Sequence, residues 1–110
     1  MKSNKMHHFH LALLHRLLAA CGQAVPRKIN PANVRFTYLQ DGGMGSVRVA
    51  EEGIEDNGRR FGAKVSELIF VDQDGVRVSV SLHVDQFGNP LEIDVFKADF
   101  SPVVKLQELC

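Results

Sequence analysis

Two cysteines, Cys21 and Cys110, form no CxxC and no framework spacing, so the sequence offers no disulfide scaffold. They read as reduced thiols of a cytosolic protein. Neither a bridge nor a metal is needed, because one domain of 110 residues buries roughly two-thirds of the surface its unfolded chain exposes. Net charge is also missing: 13 basic side chains balance 13 acidic ones, so no global field draws the chain to nucleic acid or to an anionic membrane. The basic pairs Arg27-Lys28 and Arg59-Arg60 lie in loops without an aromatic platform such as the RNP pattern. No apolar run approaches the length of a membrane span. Lys2 to Cys21 imitates a lipoprotein signal ending in Leu18-Ala19-Ala20-Cys21, but His15 and Arg16 interrupt its apolar stretch. The expectation is a cytoplasmic protein with no membrane and no nucleic-acid partner.

What is present is a strong β signal. Val76, Val78, Val80, Leu82 and Val84 alternate with Arg77, Ser79, Ser81, His83 and Asp85, which puts five apolar side chains on one face of a strand. Before it, Asp72-Gln73-Asp74-Gly75 reads as a tight turn. Folding back there pairs Val71 with Val76, Ile69 with Val78, Val65 with Leu82 and Ala63 with Val84. After it, Gln86 to Pro90 is a loop, and Leu91, Ile93 and Val95 then face Val84, Leu82 and Val80. On the opposite face His83 meets Glu92, Ser81 meets Asp94 and Ser79 meets Phe96. Glu67 falls on the apolar face in this register, either swung out by a bulge or buried beside a basic partner.

Ser3 or Asn4 can cap an opening helix and Gly22 can end it. Leu11, Leu14, Leu18 and Cys21 form a stripe on it, with Leu13, Leu17 and Ala20 alongside. Val34, Phe36 and Tyr38 mark one further strand, Val47 to Ala50 another, and Glu51 to Arg60 a polar, mobile loop. With no repeat and no second domain, the sequence predicts a single α+β domain over 1–110. Its parts are a helix over 4–21, an extended linker over 23–33, a sheet over 34–100 and a short tail over 101–110. The architecture is an N-terminal helix packed on a five-stranded antiparallel β-meander.

Several stretches sound like chemistry and fail on spacing. Asp41-Gly42-Gly43-Met44-Gly45-Ser46 has the glycines of a phosphate loop but no lysine, and a strand rather than a helix follows. Asp72-Gln73-Asp74-Gly75 brings its glycine two residues too soon for a calcium loop. His7, His8, His10 and His15 lack the i,i+4 spacing of helical metal ligands and read as an exposed polar face. Ser81, His83, Glu92 and Asp94 supply a nucleophile, a base and carboxylates by type, but mid-strand they have no elbow and no oxyanion donors. No catalytic residue, metal ligand or cofactor is therefore assigned.

The motifs DGGMGS at Asp41–Ser46, DxDGV at Asp72–Val76, LxVD at Leu82–Asp85, ExD at Glu92–Asp94 and DFSP at Asp99–Pro102 resemble those of a family of short bacterial domains of unknown function. The resemblance runs from Asp41 to Leu106, with a leucine-rich helix before it. Phe96 stands where the family's fifth strand would carry tryptophan, and the N-terminal histidines match nothing in it. Some members look like immunity or accessory proteins found near polymorphic toxins.

Charge is uneven along the chain. Residues 1–60 carry nine Lys/Arg and five Asp/Glu, and residues 61–110 carry four and eight. The expected function is accordingly a non-enzymatic protein-binding module, with Asp72, Asp74, Asp85, Glu92 and Asp94 contacting another protein such as a basic toxin domain. Two alternatives stay open. One is a small-molecule-binding domain or minor enzyme with Glu67 or His83 in a sheet-face pocket; the other is a homodimer through Leu68, Phe70 and Phe96.

Overall fold

The computed structural model describes residues 2–20, with helix side chains from Phe9 onward, and residues 31–40 and 45–104. Helix α1 spans Lys2–Ala20, and a single 3-10 turn, Pro31–Asn33, leads into the sheet. The strands are β1 (Val34–Tyr38), β2 (Val47–Glu51), β3 (Phe61–Val71), β4 (Arg77–Asp85) and β5 (Pro90–Lys97). The chain thus adopts the expected α+β architecture, one N-terminal helix on a five-stranded antiparallel sheet. Spatial order is β1-β2-β5-β4-β3: β3, β4 and β5 follow one another, and the β1–β2 hairpin joins them through β5. Among the described residues no helix is long and apolar enough to cross a membrane.

The core lies between the helix and one sheet face. Leu13, Leu14 and Leu17 are fully buried there against Val47 and Val49, Val78, Val80 and Leu82, and Ile93 and Val95. His10, Leu13, Leu14 and Leu17 are spaced i, i+3, i+4, i+7, one helical face. The buried stripe is therefore centred beside the expected one, with Leu11 and Leu18 at its margins and Ala20 exposed. His10, expected in an exposed polar cluster, is buried and packs against Phe9, Phe36 and Tyr38 at centroid distances of 5.1, 5.5 and 5.5 Å. His15 is exposed, and the side chains of His7 and His8 lie outside the described residues. So do Cys21, Gly22, Pro26, Arg27, Lys28, Asp41 to Met44, and 105–110, including Cys110.

Pairing of β4 with β5 follows the sequence expectation at Leu82↔Ile93, Val80↔Val95, His83↔Glu92, Ser81↔Asp94 and Ser79↔Phe96, but a register shift after His83 sets Val84 against Pro90 and not Leu91. The β3–β4 turn shifts the other register. The Asp72 amide donates to the Val76 carbonyl (2.9 Å) and the Gly75 amide to the Asp72 carbonyl (2.9 Å), with Gly75 at φ 83°. This three-residue loop makes Asp72, not Val71, the partner of Val76. Phe70↔Val78 and Leu68↔Val80 therefore pair, and Leu68 and Phe70 turn to the helix side, where Arg16 sits 5.3 Å above the Phe70 ring. Leu68 and Phe70, half-buried against the core, therefore do not share the outer face with Phe96 as the expected dimer patch required.

Register breaks between Lys64 and Ser66 and between Phe61 and Ala63 bring the lower half of β3 back into phase, giving Ala63↔Val84 as expected and leaving Val65 against the core. Glu67 consequently lies outside, opposite Ser81, which is the bulge alternative. At the lower break the chain passes so close to β4 that a Cβ on Gly62 would sit 2.3 Å from the Asp85 carbonyl oxygen.

Candidate functional site

Two of the expected contact carboxylates are buried structural groups. Lys97 continues the inward phase of Leu91, Ile93 and Val95, so its ammonium ends under the sheet with its side chain fully buried. There it donates to Asp72 Oδ2 (2.8 Å), to Asp74 Oδ2 and to the Pro102 carbonyl (3.1 Å). Asp72 also accepts the amides of Gln73 (2.8 Å) and Val104 (2.7 Å). Burial pushes the Lys97 ammonium toward its neutral form, but Asp72 and Asp74 outweigh it and hold its pKa above the ordinary lysine value.

Asp85 is the second such group. It accepts Arg59 Nε (2.8 Å) and the amides of Phe87 and Asn89 (both 2.9 Å), and its side chain is fully buried. Desolvation raises its pKa, and these donors more than reverse that, leaving it below the usual carboxylate range. Arg59 further donates to the Val49 carbonyl (2.9 Å), to Asp56 (3.0 Å) and to the Pro90 carbonyl. The segment expected to be a mobile loop is thus strapped across β2, β4 and β5. Asp72 and Asp85 do not point outward, and Asp74 is half-buried on Lys97.

The motif residues around them have similar tasks. Ser46 reaches β5, its hydroxyl accepting the Val95 amide (2.8 Å) and donating to the Val95 carbonyl (3.2 Å). Asp99 accepts the Ser101 amide (3.0 Å) and hydroxyl (2.6 Å), and Phe100, at φ 66°, turns its ring edge-on to Phe96 at 5.1 Å.

The outer sheet face, away from the helix, carries the remaining expected contact residues. Strand pairing arranges it in transverse rows. Arg48, Glu92, His83 and Lys64 form one row. Asp94, Ser81 and Glu67 form the next, and Phe96, Ser79 and Ile69 a third, with Arg77 and Val71 beyond. Ser81 is buried within the face and donates to Glu67 Oε2 (3.4 Å), while Asp94 Oδ1 lies 3.4 Å from the Ser46 hydroxyl. His83 Nδ1 is 4.0 Å from Glu92 Oε1, and its ring stands edge-on to Phe61 at 5.2 Å.

Among the described residues no hydrogen bond joins Ser81 to His83, so these groups do not interlock as nucleophile and base. Nor does any group of three or more His, Cys, Asp or Glu among them form a metal site. The structure gathers Glu92 and Asp94, of the five expected contact residues, on the outer face.

A family model described as "Domain of unknown function (DUF6984)" matches residues 3–107. The chain belongs to the DUF6984 family. In this DUF6984 domain Asp72, Asp74, Asp85, Asp99 and Ser46 hold turns and strand ends together, which gives four of the five sequence motifs an architectural reading. Glu92 and Asp94, the ExD motif, lie half-buried on the outer face. No curated protein and no solved structure matches the chain.

Sequence reasoning missed Lys97, Arg59 and Ser46. A lysine in the inward phase of β5 was a readable sign of a buried cation. Arg59 sits in a loop and carries no periodic signal.

Proposed function

We propose that the domain is a non-enzymatic protein-binding module whose outer face receives a basic partner protein, as an immunity protein receives a cognate bacterial toxin. The observation that carries this reading is the adjacency of two rows. Asp94, Ser81 and Glu67 make an acidic ledge, and Phe96, Ser79 and Ile69 make an apolar strip beside it, extended by the exposed ring of Phe100. A partner arginine or lysine set over Ser81 would find a carboxylate on either side, while its apolar neighbours cover Phe96 and Phe100. An apolar anchor surrounded by complementary charge is how interfaces concentrate affinity and select partners. Asp72, Asp74 and Asp85 serve this face indirectly, by fixing the turns that end its strands.

Affinity isolation from the native cell tests the reading, using wild type alongside the paired substitution Glu92→Lys with Asp94→Lys. The expected result is a basic protein that elutes as salt is raised and is absent from the charge-reversed bait, whose circular dichroism matches wild type. A specific partner that binds both baits equally at high salt refutes it.

A further inference from the structure

We propose that the upper half of β3, Glu67 to Val71, is a self-pairing edge. A second copy of this chain adds its own β3 antiparallel about a two-fold axis at Ile69, so that two five-stranded sheets become one.

Among the described residues, strand order leaves β3 with one strand neighbour only, β4. The Asp72 amide bonds to the Val76 carbonyl, and Phe70↔Val78 and Leu68↔Val80 follow in the same phase. In an antiparallel ladder bonded pairs alternate, so the backbone groups of Asp72, Phe70 and Leu68 face β4 and those of Val71, Ile69 and Glu67 face away from it. Proteins protect such edges with bulges, lysine or proline. The lower half of β3 has two register breaks and Lys64. The upper half has no break, no lysine and no proline, and its Ile69 and Val71 are 54% and 67% exposed.

What fits this edge is its own copy. An axis at Ile69 sets that residue against Ile69 of the second copy and sets Glu67 of each copy against Val71 of the other. Val71 pairs in β4 with the exposed Arg77. Each end of the junction therefore brings Glu67 of one copy into the row that holds Arg77 of the other, and the apolar row Phe96–Ser79–Ile69 runs on through the axis into the same row reversed. On the helix side, Leu68 meets Phe70 of the second copy. Up to about six backbone hydrogen bonds form, since the three outward residues of each copy both donate and accept. Glu67 and Ile69 close the β3 end of the two rows named above, whereas Glu92 and Asp94 stand on β5, two strands in, and the proposal does not depend on a basic partner.

Sedimentation equilibrium and light scattering on the full chain test it. Wild type is expected to dimerise. Ile69→Lys, which sets two ammonium groups together at the axis, is expected to weaken the dimer about tenfold or more while the thermal transition stays cooperative. Glu67→Arg and Arg77→Glu each weaken the dimer and the double exchange restores it, whereas Glu92→Lys with Asp94→Lys leaves it intact. In the dimer the amides of Glu67, Ile69 and Val71 exchange as slowly as those of Leu68 and Phe70. A wild-type monomer at high micromolar concentration overturns the proposal, as does a dimer insensitive to Ile69→Lys. So does a monomer that instead captures an unrelated extended peptide on this edge, because the occupant is then a foreign strand.

Discussion

Replacing Asp85 by alanine should remove a large part of the stability of the domain. The carboxylate is fully buried and takes three hydrogen bonds, from Arg59 Nε and from the amides of Phe87 and Asn89. Its removal leaves the Arg59 guanidinium, itself 3% exposed, inside the protein without its nearest anion. Breaking one side of a buried pair costs about 3–5 kcal/mol. Domains of this size are stable by about 5–15 kcal/mol in total, so the loss is a large fraction of the whole. At about 4–8 °C per kcal/mol the melting temperature falls by roughly 12 °C or more. Urea unfolding followed by circular dichroism reads both the midpoint and the slope. Asp85→Asn, which keeps the shape and one acceptor, should fall between alanine and wild type.

The acid limb of the stability curve gives a second readout. The folded pKa of Asp85 lies below its unfolded value, so its contribution is complete above the unfolded value and disappears as pH falls through the folded one. Wild type should lose this part of its stability below about pH 4, and Asp85→Ala should not. An alanine variant within about 1 kcal/mol of wild type at pH 7, with an unchanged slope, would falsify the assignment of Asp85 and Arg59 as a structural pair.

Three further outcomes follow from the same geometry. Lys97 has a folded pKa raised above its unfolded value, so its contribution is full below the unfolded value and is lost as pH rises through the folded one. Urea midpoints of wild type should therefore drop above about pH 10.5, and Lys97→Met, less stable at neutral pH, should show a flatter alkaline limb. Ser46→Ala strips the Val95 amide of its acceptor and should cost about 1–3 kcal/mol, with faster hydrogen exchange at Val95 as the site-specific check. Gly62→Ala drives a methyl into the Asp85 carbonyl and should destabilise by about 1–3 kcal/mol, whereas alanine at the exposed Lys64 should leave the urea midpoint almost unmoved.

Local sequence disclosed those parts of the fold that are set by period and by turn residues. The alternation from Val76 to Asp85 and its match to Ile93 and Val95 dictate two strands and most of their register, because one step of slip would expose every valine. The β3 register was not legible. A three-residue loop closed by Gly75 shifts the pairing by one, and the bulge near Val65 shifts it back, so both ends of β3 looked consistent with a simpler hairpin. Glu67, the residue out of phase in that hairpin, was the visible trace of the bulge.

Charge was the least legible property. The acidic excess of the second half is real, but the Asp72 and Asp85 carboxylates are spent on Lys97 and Arg59, and no spacing rule pairs a turn with a residue 25 or 26 positions away. Glu92 and Asp94 were readable because strand alternation alone fixes their face.

The ladder between β2 and β5 holds only Val47↔Ile93 and Arg48↔Glu92, with the Ser46 hydroxyl and the Arg59 strap as reinforcement. It is flanked by longer ladders on both sides. The β1–β2 hairpin carries Val34, Val47 and Val49 of the core, so parting the sheet here would unroof the leucines of the helix at the same stroke and leave three strands still paired.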